Sequence, residues 1–215
     1  MDIVLIGAQG SGKGTQSEKL SQSLGICHVA SGDLFREELD KKTELGQQAG
    51  EYLDRGELVP DDITVPMVLR RIRETDCARG VLLDGFPRTI AQAQVLDAGL
   101  QEMGRSITRA LYLKVPREAL LHRLSGRYIC RAHQHVYNIY TDPPKVAGIC
   151  DLDGSELYQR PDDRSEVIQK RLDIFFNETI RLLDYYRNVG KLVEVDGEQS
   201  IEQVQASLMQ AVKSK

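Results

Sequence analysis

A glycine-rich segment near the start of the chain constrains its fold more than any other feature. Residues 7–15 read Gly-Ala-Gln-Gly-Ser-Gly-Lys-Gly-Thr. They follow an apolar run at residues 3–6, which predicts a buried strand, and they lead into a helical pattern. A strand, a glycine-rich turn with a lysine, and a helix form a phosphate-binding pattern, because backbone N–H groups converge at the positive helix end. Lys13 would add a point charge for the β- and γ-phosphates.

The loop departs from the general pattern at one position. The general pattern has Ser or Thr directly after the lysine, where its hydroxyl holds Mg²⁺. Here that position is Gly14, and Thr15 comes one place later. Carboxylates elsewhere, acting through water, are therefore expected to help hold the ion.

Composition limits the classes of function. The 215 residues suit one core domain with insertions, and 28 basic against 32 acidic residues give a net charge of −4, whereas nucleic-acid binders usually carry a basic excess. No apolar run approaches the roughly 20 residues of a membrane span. The first strand starts at the third residue, which leaves no room for a signal peptide and favours the cytoplasm. Metal binding is therefore expected, rather than a disulfide framework, for Cys27, Cys77, Cys130 and Cys150.

Strand-like and helical patterns alternate along most of the chain. Strands are predicted at residues 3–6, 26–29, 81–83, 110–115 and 192–195. Helices are predicted at residues 13–24, 32–41, 64–75, 90–101, 117–124, 164–188 and 201–213. The alternation predicts an α/β fold with a central parallel sheet, helices on both faces, and ligands at the carboxyl ends of the strands.

Two stretches depart from that alternation. Residues 32–65 are helical without a strand, and residues 126–163 are rich in Gly, Pro, His and Tyr. Both are expected to form insertions over the ligand-binding edge of the sheet.

A polar motif follows the second predicted strand. Ser31-Gly32-Asp33 precedes a helix that carries Arg36. A serine or aspartate at this point can simply be a helix N-cap. Arg36, one helical turn on, can instead fork onto a phosphate, which favours a ligand site.

A second motif follows the third predicted strand. In Asp84-Gly85-Phe86-Pro87-Arg88, Asp84 lies where an acidic residue of a phosphate-loop enzyme reaches magnesium, generally through water. The Gly-Phe-Pro turn lets backbone approach a ligand. Arg88 offers a bidentate fork, although a structural salt bridge is an equally good explanation of that residue alone.

Further arginines stand at motif positions: Arg123, Arg127, Arg160 and Arg171. Phosphoryl transfer spreads negative charge over the migrating group, and catalysis is mostly positioning plus electrostatic stabilisation. Arginine suits this task because it stays charged and binds oxyanions through a planar fork. A single arginine is usually solvated at the surface, but a set accompanying one phosphate loop indicates phosphoryl transfer.

Together these motifs resemble the adenylate kinases of the long-lid, bacterial type, in family order from residue 1 to about residue 201. The resemblance implies the three-layer fold of P-loop NTPases. It implies a core (residues 1–29, 60–125 and 164–215), a helical AMP-binding insertion (30–59) and a small β-rich lid (126–163). The implied reaction is reversible phosphoryl transfer from Mg-ATP to AMP, giving two ADP, in adenine nucleotide homeostasis. A monomer without nucleic-acid or membrane partners is implied.

The resemblance also implies a role for each motif residue. The groups implied to act on the transferred phosphoryl are Lys13, Arg36, Arg88, Arg123, Arg160 and Arg171. Those implied to bind ATP are Gly10, Ser11, Gly12, Lys13, Gly14, Thr15, Arg123, Arg127, Val136, Tyr137 and Gln199. Those implied to bind AMP are Ser31, Arg36, Glu57, Leu58, Val59, Gly85, Phe86, Pro87, Arg88, Gln92, Arg160 and Arg171. Asp84 and Asp33 are implied to hold Mg²⁺ through water.

Residues of the lid have zinc-ribbon-like spacing. Cys130 and His133 form one pair, and Cys150 and Asp153 form a second, each pair separated by two residues. This predicts a structural zinc site, because thiolates, imidazole and carboxylate are all acceptable ligands. A metal-free lid held by hydrogen bonds, or a disulfide between the two lid cysteines, are the alternatives. His135 is off the spacing and is left out, and the other two cysteines are expected to be buried or incidental.

Three other functions stay open. A kinase for UMP, CMP or GMP would share the loop and the arginines, although Gln92, Ser31 and the long lid favour adenine. A nucleotide-dependent regulator without catalysis would not need Lys13, Asp84 and the arginines. A gluconate- or shikimate-type kinase would share the loop but would not need the two motifs after the second and third strands.

Overall fold

The chain forms two separate sheets in the computed structural model, which describes residues 1–213. The strands are β1 (Asp2–Ile6), β2 (Cys27–Ala30), β3 (Val81–Asp84), β4 (Ile107–Lys114), β5 (Arg127–Cys130), β6 (Val136–Asn138), β7 (Leu157–Tyr158) and β8 (Leu192–Asp196). The larger sheet is parallel throughout, in the order β2-β3-β1-β4-β8. The smaller sheet is antiparallel, in the order β6-β5-β7.

Helices cover both faces of the parallel sheet. They are α1 (Lys13–Leu24), α2 (Ser31–Asp40), α3 (Glu44–Asp54), α4 (Asp61–Arg71), α5 (Ile90–Glu102), α6 (Arg117–Ser125), α7 (Ser165–Asn177), α8 (Leu182–Asn188) and α9 (Ile201–Lys213). Because side chains alternate along a strand, Ile3 and Leu5 pack toward α1 and α9, whereas Val4 and Ile6 pack into the larger core on the other face. The prediction of a three-layer α/β fold is confirmed.

The long helix predicted at residues 164–188 is divided in the structure. The helix α7 ends at Asn177, a 3₁₀ turn covers Thr179–Arg181, and α8 then begins. Glu178 has φ −116° and ψ −62°, which breaks the helical geometry. The break lets Leu182 and Tyr186 enter the main core, and burial of these side chains outweighs the local preference for one helix.

The structure corrects the expectation for two cysteines. A disulfide bond joins Cys27, at the start of β2, to Cys77, in a 3₁₀ turn before β3. It closes a loop that contains α2, α3 and α4. Cys130 and Cys150 are both free and buried, so the alternative of a disulfide between them is wrong.

The antiparallel sheet lies within the second predicted insertion. Its buried cluster comprises only Cys130, Tyr137, Cys150 and Leu157. Within residues 1–213, no helix combines the length and the apolar character needed to cross a membrane.

Candidate active site

The loop after β1 folds back over its own lysine. Gly12 precedes α1 with a φ of 92°, a left-handed conformation that glycine adopts without a steric penalty. Lys13 Nζ donates to the carbonyl of Ala8 at 3.0 Å. Burial lowers the pKa of Lys13 to about 8; the charge of Asp84 acts to raise it, and nearby arginines act to lower it further. The ammonium group therefore lies in a region already rich in positive charge.

Asp84 ends β3 directly beside this loop, because β3 pairs with β1 and aligns Asp84 with Leu5. Ser17 Oγ donates to its carboxylate at 3.4 Å, and His28 Nε2 lies 3.9 Å away, beyond hydrogen-bond distance. Burial acts to raise the pKa of Asp84, but neighbouring His28 and Lys13 outweigh it and hold the pKa below its usual value. An ionised carboxylate at this position suits a hydrated Mg²⁺ ion.

Asp33, the other predicted magnesium carboxylate, has a different partner. It lies in the first turn of α2, is exposed, and forms an ion pair with Arg36. Its carboxylate is therefore already engaged, and Asp84 is the better supported of the two magnesium candidates.

Three arginines next to the antiparallel sheet are held by polar partners. Arg127 pairs with the fully buried carboxylate of Asp163, including a bond of 2.8 Å from Nε. Arg171 Nη1 donates to Asp162 Oδ2 at 2.5 Å. Arg160 Nη2 donates to the side-chain oxygen of Gln134 at 3.1 Å, and its buried Nε has no partner. These guanidiniums are oriented by the fold rather than solvated freely.

The cations are close enough to perturb one another. Burial and then the charge of Arg171 lower the pKa of Arg88 to about 10. Burial and then the charge of Arg36 lower the pKa of Arg160 to about 10. Burial also lowers the pKa of Arg171, although Asp162 opposes this. Such mutual repulsion is expected where positive charges converge on a place made for an anion.

The charges in this region do not balance. Six cations belong to it: Lys13, Arg36, Arg88, Arg127, Arg160 and Arg171. The four carboxylates that pair with them or influence them are Asp33, Asp84, Asp162 and Asp163. The excess of two positive charges lies between the loop and the cavity described next.

A small cavity opens beside the Asp84–Arg88 turn. Its lining comprises Ser31, Phe35, Leu53, Glu57, Leu58, Val59, Thr64, Gly85, Arg88 and Gln92. Ser31 Oγ and Arg88 Nε both donate to the carbonyl of Gly85, at 2.9 Å and 2.8 Å. Gly85 has a φ of 75°, and a Cβ there would lie 2.9 Å from Ser31 Oγ. This turn therefore requires glycine and fixes both polar side chains at the cavity wall.

Most residues predicted to bind AMP meet at this cavity, but two neighbours in the turn point elsewhere. The Phe86 side chain is part of the main hydrophobic core, and Pro87 is also buried. The peptide bond between them is cis. Their side chains form the support of the turn rather than the cavity wall.

The predicted ATP side is assembled from three separate segments. Arg123 Nη2 donates to the carbonyl of Gly197 at 3.0 Å, and a Cβ on Gly197 would lie 3.7 Å from the carbonyl oxygen of Ser11. The segment leading to Gln199 therefore lies against the phosphate loop. Gln199 itself is exposed, and its Nε2 lies 3.5 Å from Asp196.

The two lid residues predicted to line the ATP side differ in exposure. Val136 is half exposed, at 49%, whereas the Tyr137 ring is buried in the small cluster of the lid. The Tyr137 hydroxyl contacts Cys150 Sγ at 3.4 Å and accepts from the Asp151 backbone at 2.8 Å. Its side chain is not available to line the ATP side, which corrects that part of the prediction.

Four ligand-type side chains converge at one end of the antiparallel sheet. Their metal-binding atoms lie within 4.8 Å of one another, and the residues are Cys130, His135, Cys150 and Asp153. The His135 Nδ1 atom is 3.4 Å from Cys130 Sγ and 3.3 Å from both Cys150 Sγ and Asp153 Oδ2. Tetrahedral zinc bonds of about 2.0–2.3 Å place neighbouring ligand atoms roughly 3.3–3.8 Å apart, so the set fits a zinc ion.

His133, the histidine predicted as a ligand, lies outside this cluster in the structure, and His135 takes its place there. The His133 side chain is 68% exposed, and its Nδ1 bonds Asp153 at 2.9 Å from outside the cluster. A turn after Cys130, in which Gln134 has a φ of 60°, brings residue 135 back beside the cysteine. The Cys130 backbone N–H then donates to the His135 carbonyl at 2.9 Å. The geometry of the turn, rather than the two-residue spacing, therefore determines which histidine lies next to Cys130.

Several site residues were absent from the sequence predictions. Asp162 and Asp163 follow Arg160 in the sequence after one proline, so acidic partners beside this arginine had a sequence signal. His28, Gln134 and Asp61 had none, because each contacts a residue far away in the chain. Asp61 Oδ1 accepts from Gln92 Nε2 at 2.6 Å across 31 positions.

Comparison with known proteins identifies similar sequences over nearly the whole chain. A sequence model of the family described as "Adenylate kinase" matches residues 5–191. The adenylate kinase of Carboxydothermus hydrogenoformans is 49% identical over 213 residues, covering 99% of this chain and all of the relative. That of Bacillus subtilis is 46% identical over 208 residues, covering 97% of this chain and 96% of the relative. That of Thermosipho melanesiensis is 43% identical over 213 residues, covering 99% of this chain and all of the relative.

Proposed function

The chain belongs to the adenylate kinase family, and we propose that it reversibly transfers the terminal phosphoryl group of Mg-ATP to AMP, giving two ADP. It is a nucleoside monophosphate kinase, and hence a transferase that binds nucleotides. The observation that carries the proposal is the group of six cations beside the phosphate loop and the Gln92 cavity, which outnumber the carboxylates that pair with them. A site for a single phosphate ester would not need this excess of charge.

In this proposal the two nucleotides lie on opposite sides of the cations. ATP phosphates would lie on residues 10–15, with adenine between Arg123 and the segment that ends at Gln199. AMP would occupy the cavity, with its base toward Gln92 and its phosphate toward Arg36 and Arg88. Arg160 and Arg171 would then lie between both substrates, where the migrating phosphoryl passes.

The chemistry required of the protein is alignment and charge stabilisation. The phosphate oxygen of AMP is already an anionic nucleophile, so no general base is needed. Holding acceptor and donor in line replaces a bimolecular encounter, and fixed guanidiniums stabilise the charge spread over the transferred group. Asp84 would hold Mg²⁺ through water, and the ion enters with ATP and neutralises phosphate charge.

The lid is proposed to carry a structural zinc ion on Cys130, His135, Cys150 and Asp153. The backbone N–H groups of His133 and His135 both donate to Cys130 Sγ at 3.3 Å, as expected around a thiolate ligand. A hydrogen bond from Ser155 holds the pKa of Asp153 well below its usual value, so that residue is available as an anionic ligand. A metal ion would hold two segments of the lid together, at residues 130–135 and 150–153. A lid that keeps its shape can close over ATP and exclude water, which would otherwise hydrolyse the nucleotide.

The domain boundaries remain the predicted ones, with residues 30–59 as the AMP-binding insertion and 126–163 as the lid. A monomer is proposed because every group assigned to the site comes from one chain. The cytoplasm stays a prediction, and the Cys27–Cys77 disulfide bond is the observation that does not favour a reducing compartment.

Initial rates of ADP formation from Mg-ATP with AMP, CMP, UMP and GMP test the proposal. We expect AMP to exceed each of the others by at least about 100-fold in kcat/KM, since a site built to bond one base rejects others strongly. A faster reaction with another monophosphate would identify a different kinase. ATP hydrolysis without transfer would refute the proposal.

A further inference from the structure

The side-chain amide of Gln92 is held at both ends by groups that distinguish its oxygen from its nitrogen. The Arg88 backbone N–H donates to Gln92 Oε1 at 2.7 Å. Gln92 Nε2 donates to the Asp61 carboxylate at 2.6 Å. The residue is 2% exposed, and Thr89, the N-cap of α5, fixes its backbone through a 3.1 Å bond. The amide therefore has one strongly favoured orientation.

An inverted amide would lose both of these hydrogen bonds. Its oxygen would face the Asp61 carboxylate, so acceptor would meet acceptor. Its NH₂ group would face the Arg88 N–H, so donor would meet donor. The partner from Arg88 is a backbone N–H, which a substitution of that side chain does not remove. Asp61 is therefore the side chain whose charge helps to determine the orientation of the Gln92 amide.

The unused half of the amide faces the cavity. A side-chain amide has two hydrogens and two oxygen lone pairs, and Asp61 and Arg88 occupy only one of each. Gln92 lines the cavity, whereas Asp61 is not part of its lining. The cavity thus meets one remaining acceptor on Oε1 and one remaining donor on Nε2.

This pattern matches one class of purine and opposes another. A 6-aminopurine presents an amino donor at C6 and an acceptor at N1, which complement Oε1 and Nε2. A 6-oxopurine presents a carbonyl acceptor at C6 and an N1–H donor, which would require the inverted amide. We infer that Asp61 is a specificity-determining positioning residue that makes the monophosphate site accept 6-aminopurines and reject 6-oxopurines. The inference rests on the proposed placement of the AMP base at Gln92.

The neighbouring residue offers a matched control. Asp61 and Asp62 are both exposed acids in the first turn of α4, so both interact similarly with the helix dipole. Asp62 instead lines a separate surface groove with Pro60 and Ile63. Asp61→Asn and Asp62→Asn therefore make the same change in charge, but only Asp61→Asn supplies an amide that can donate to an inverted Gln92.

The test measures kcat/KM for AMP and for IMP, with Mg-ATP as donor, in each variant. We expect Asp61→Asn to lower the AMP-to-IMP ratio by about tenfold or more, and Asp62→Asn to leave it within about twofold. Asp61→Glu, which keeps the carboxylate, should restore part of the ratio. Because the ratio is taken within one preparation, a loss of stability in a variant does not affect it.

Two results would overturn the inference, and they are distinguishable. If Asp61→Asn lowers both kcat/KM values equally, Asp61 serves only the stability of α4, and the proposed function stands. If Gln92→Leu leaves kcat/KM for AMP unchanged, the base is not read at Gln92, and both the inference and the proposed AMP site fail. The inference and the proposed AMP site are both supported if Gln92→Leu loses activity with AMP and Asp61→Asn lowers the AMP-to-IMP ratio of kcat/KM.

Discussion

The parallel sheet and the lid are stabilised in different ways. Residues on both faces of the sheet are buried in two large apolar clusters, and none of the charged groups of the site belongs to either cluster. The apolar cluster of the lid comprises Cys130, Tyr137, Cys150 and Leu157, and its two cysteines also belong to the candidate metal centre. In the sheet, site and stability are separable, whereas in the lid the same side chains serve both.

The difference follows from size. A small insertion of short strands cannot bury enough apolar surface to offset its conformational entropy, so a metal commonly supplies the missing stability. The sheet has that surface in excess and can keep buried cations that destabilise it. Substitutions should therefore separate activity from stability in the sheet and couple them in the lid.

The largest expected effect is loss of catalysis without loss of fold in Lys13→Met. Turnover should fall at least about 1,000-fold, because a charge on the phosphates is removed. The lowered pKa of Lys13 means that folding disfavours its charged form, so below pH 8 methionine should not lower the stability of the nucleotide-free protein. A coupled assay and thermal melts measure the two quantities, with Lys19→Met, an exposed lysine on the same helix, as the control. Near-normal turnover in Lys13→Met would contradict the separation of activity from stability in the sheet.

The next effect concerns the choice of histidine in the lid. His135→Ala should weaken zinc binding by about 100-fold or more, because a ligand is lost. His133→Ala should weaken it by roughly tenfold, because only a bond to Asp153 is lost. Competition with a chromophoric chelator gives both affinities. Equal affinities, or the reverse order, would restore His133 as the ligand.

Removal of the metal should affect the lid alone. Zinc analysis should give about one ion per chain, and chelation should lower the melting temperature. Amide exchange should quicken at least about tenfold in residues 127–158 and stay unchanged in β1, β3 and β4. Hydrogen–deuterium exchange with mass spectrometry measures both regions in one sample. A uniform loss of protection would show that the lid and the sheet depend on the metal alike.

The smallest effect is on the pH dependence of ATP binding. In the free protein Lys13 loses its proton as pH rises through about 8, and its attraction for phosphate is then lost. The Kd for ATP should therefore rise by up to about tenfold between pH 7 and pH 9, with proton uptake on binding near pH 8. Calorimetry in two buffers of different ionisation enthalpy detects the proton. Lys13→Arg should bind ATP with little change over this range.

Much of this arrangement was predictable, because local patterns determine it. The glycine-rich loop, the acids and arginines after β2 and β3, and the alternation of strands and helices are all short-range signals. Loop composition placed Lys13 and Asp84 correctly at one edge of the sheet, since parallel strands carry their carboxyl ends together.

What could not be predicted depends on contacts between distant residues. The break at Glu178 arises from burial of Leu182 and Tyr186, which no local propensity reports. His135, rather than His133, lies in the lid cluster because of a turn with a left-handed residue at Gln134, a conformation that glycine usually adopts. The Cys27–Cys77 bond joins residues 50 positions apart, and the Asp61–Gln92 bond 31 positions apart.

Direct transfer between two bound nucleotides is tested most plainly by following the phosphorus NMR spectrum of the protein with Mg-ATP and AMP. If the converging cations serve one migrating phosphoryl group, the signals of ATP and AMP should decrease together and only ADP should appear, without inorganic phosphate. Release of inorganic phosphate, or an unchanged AMP signal while ATP is consumed, would contradict this assignment of the site.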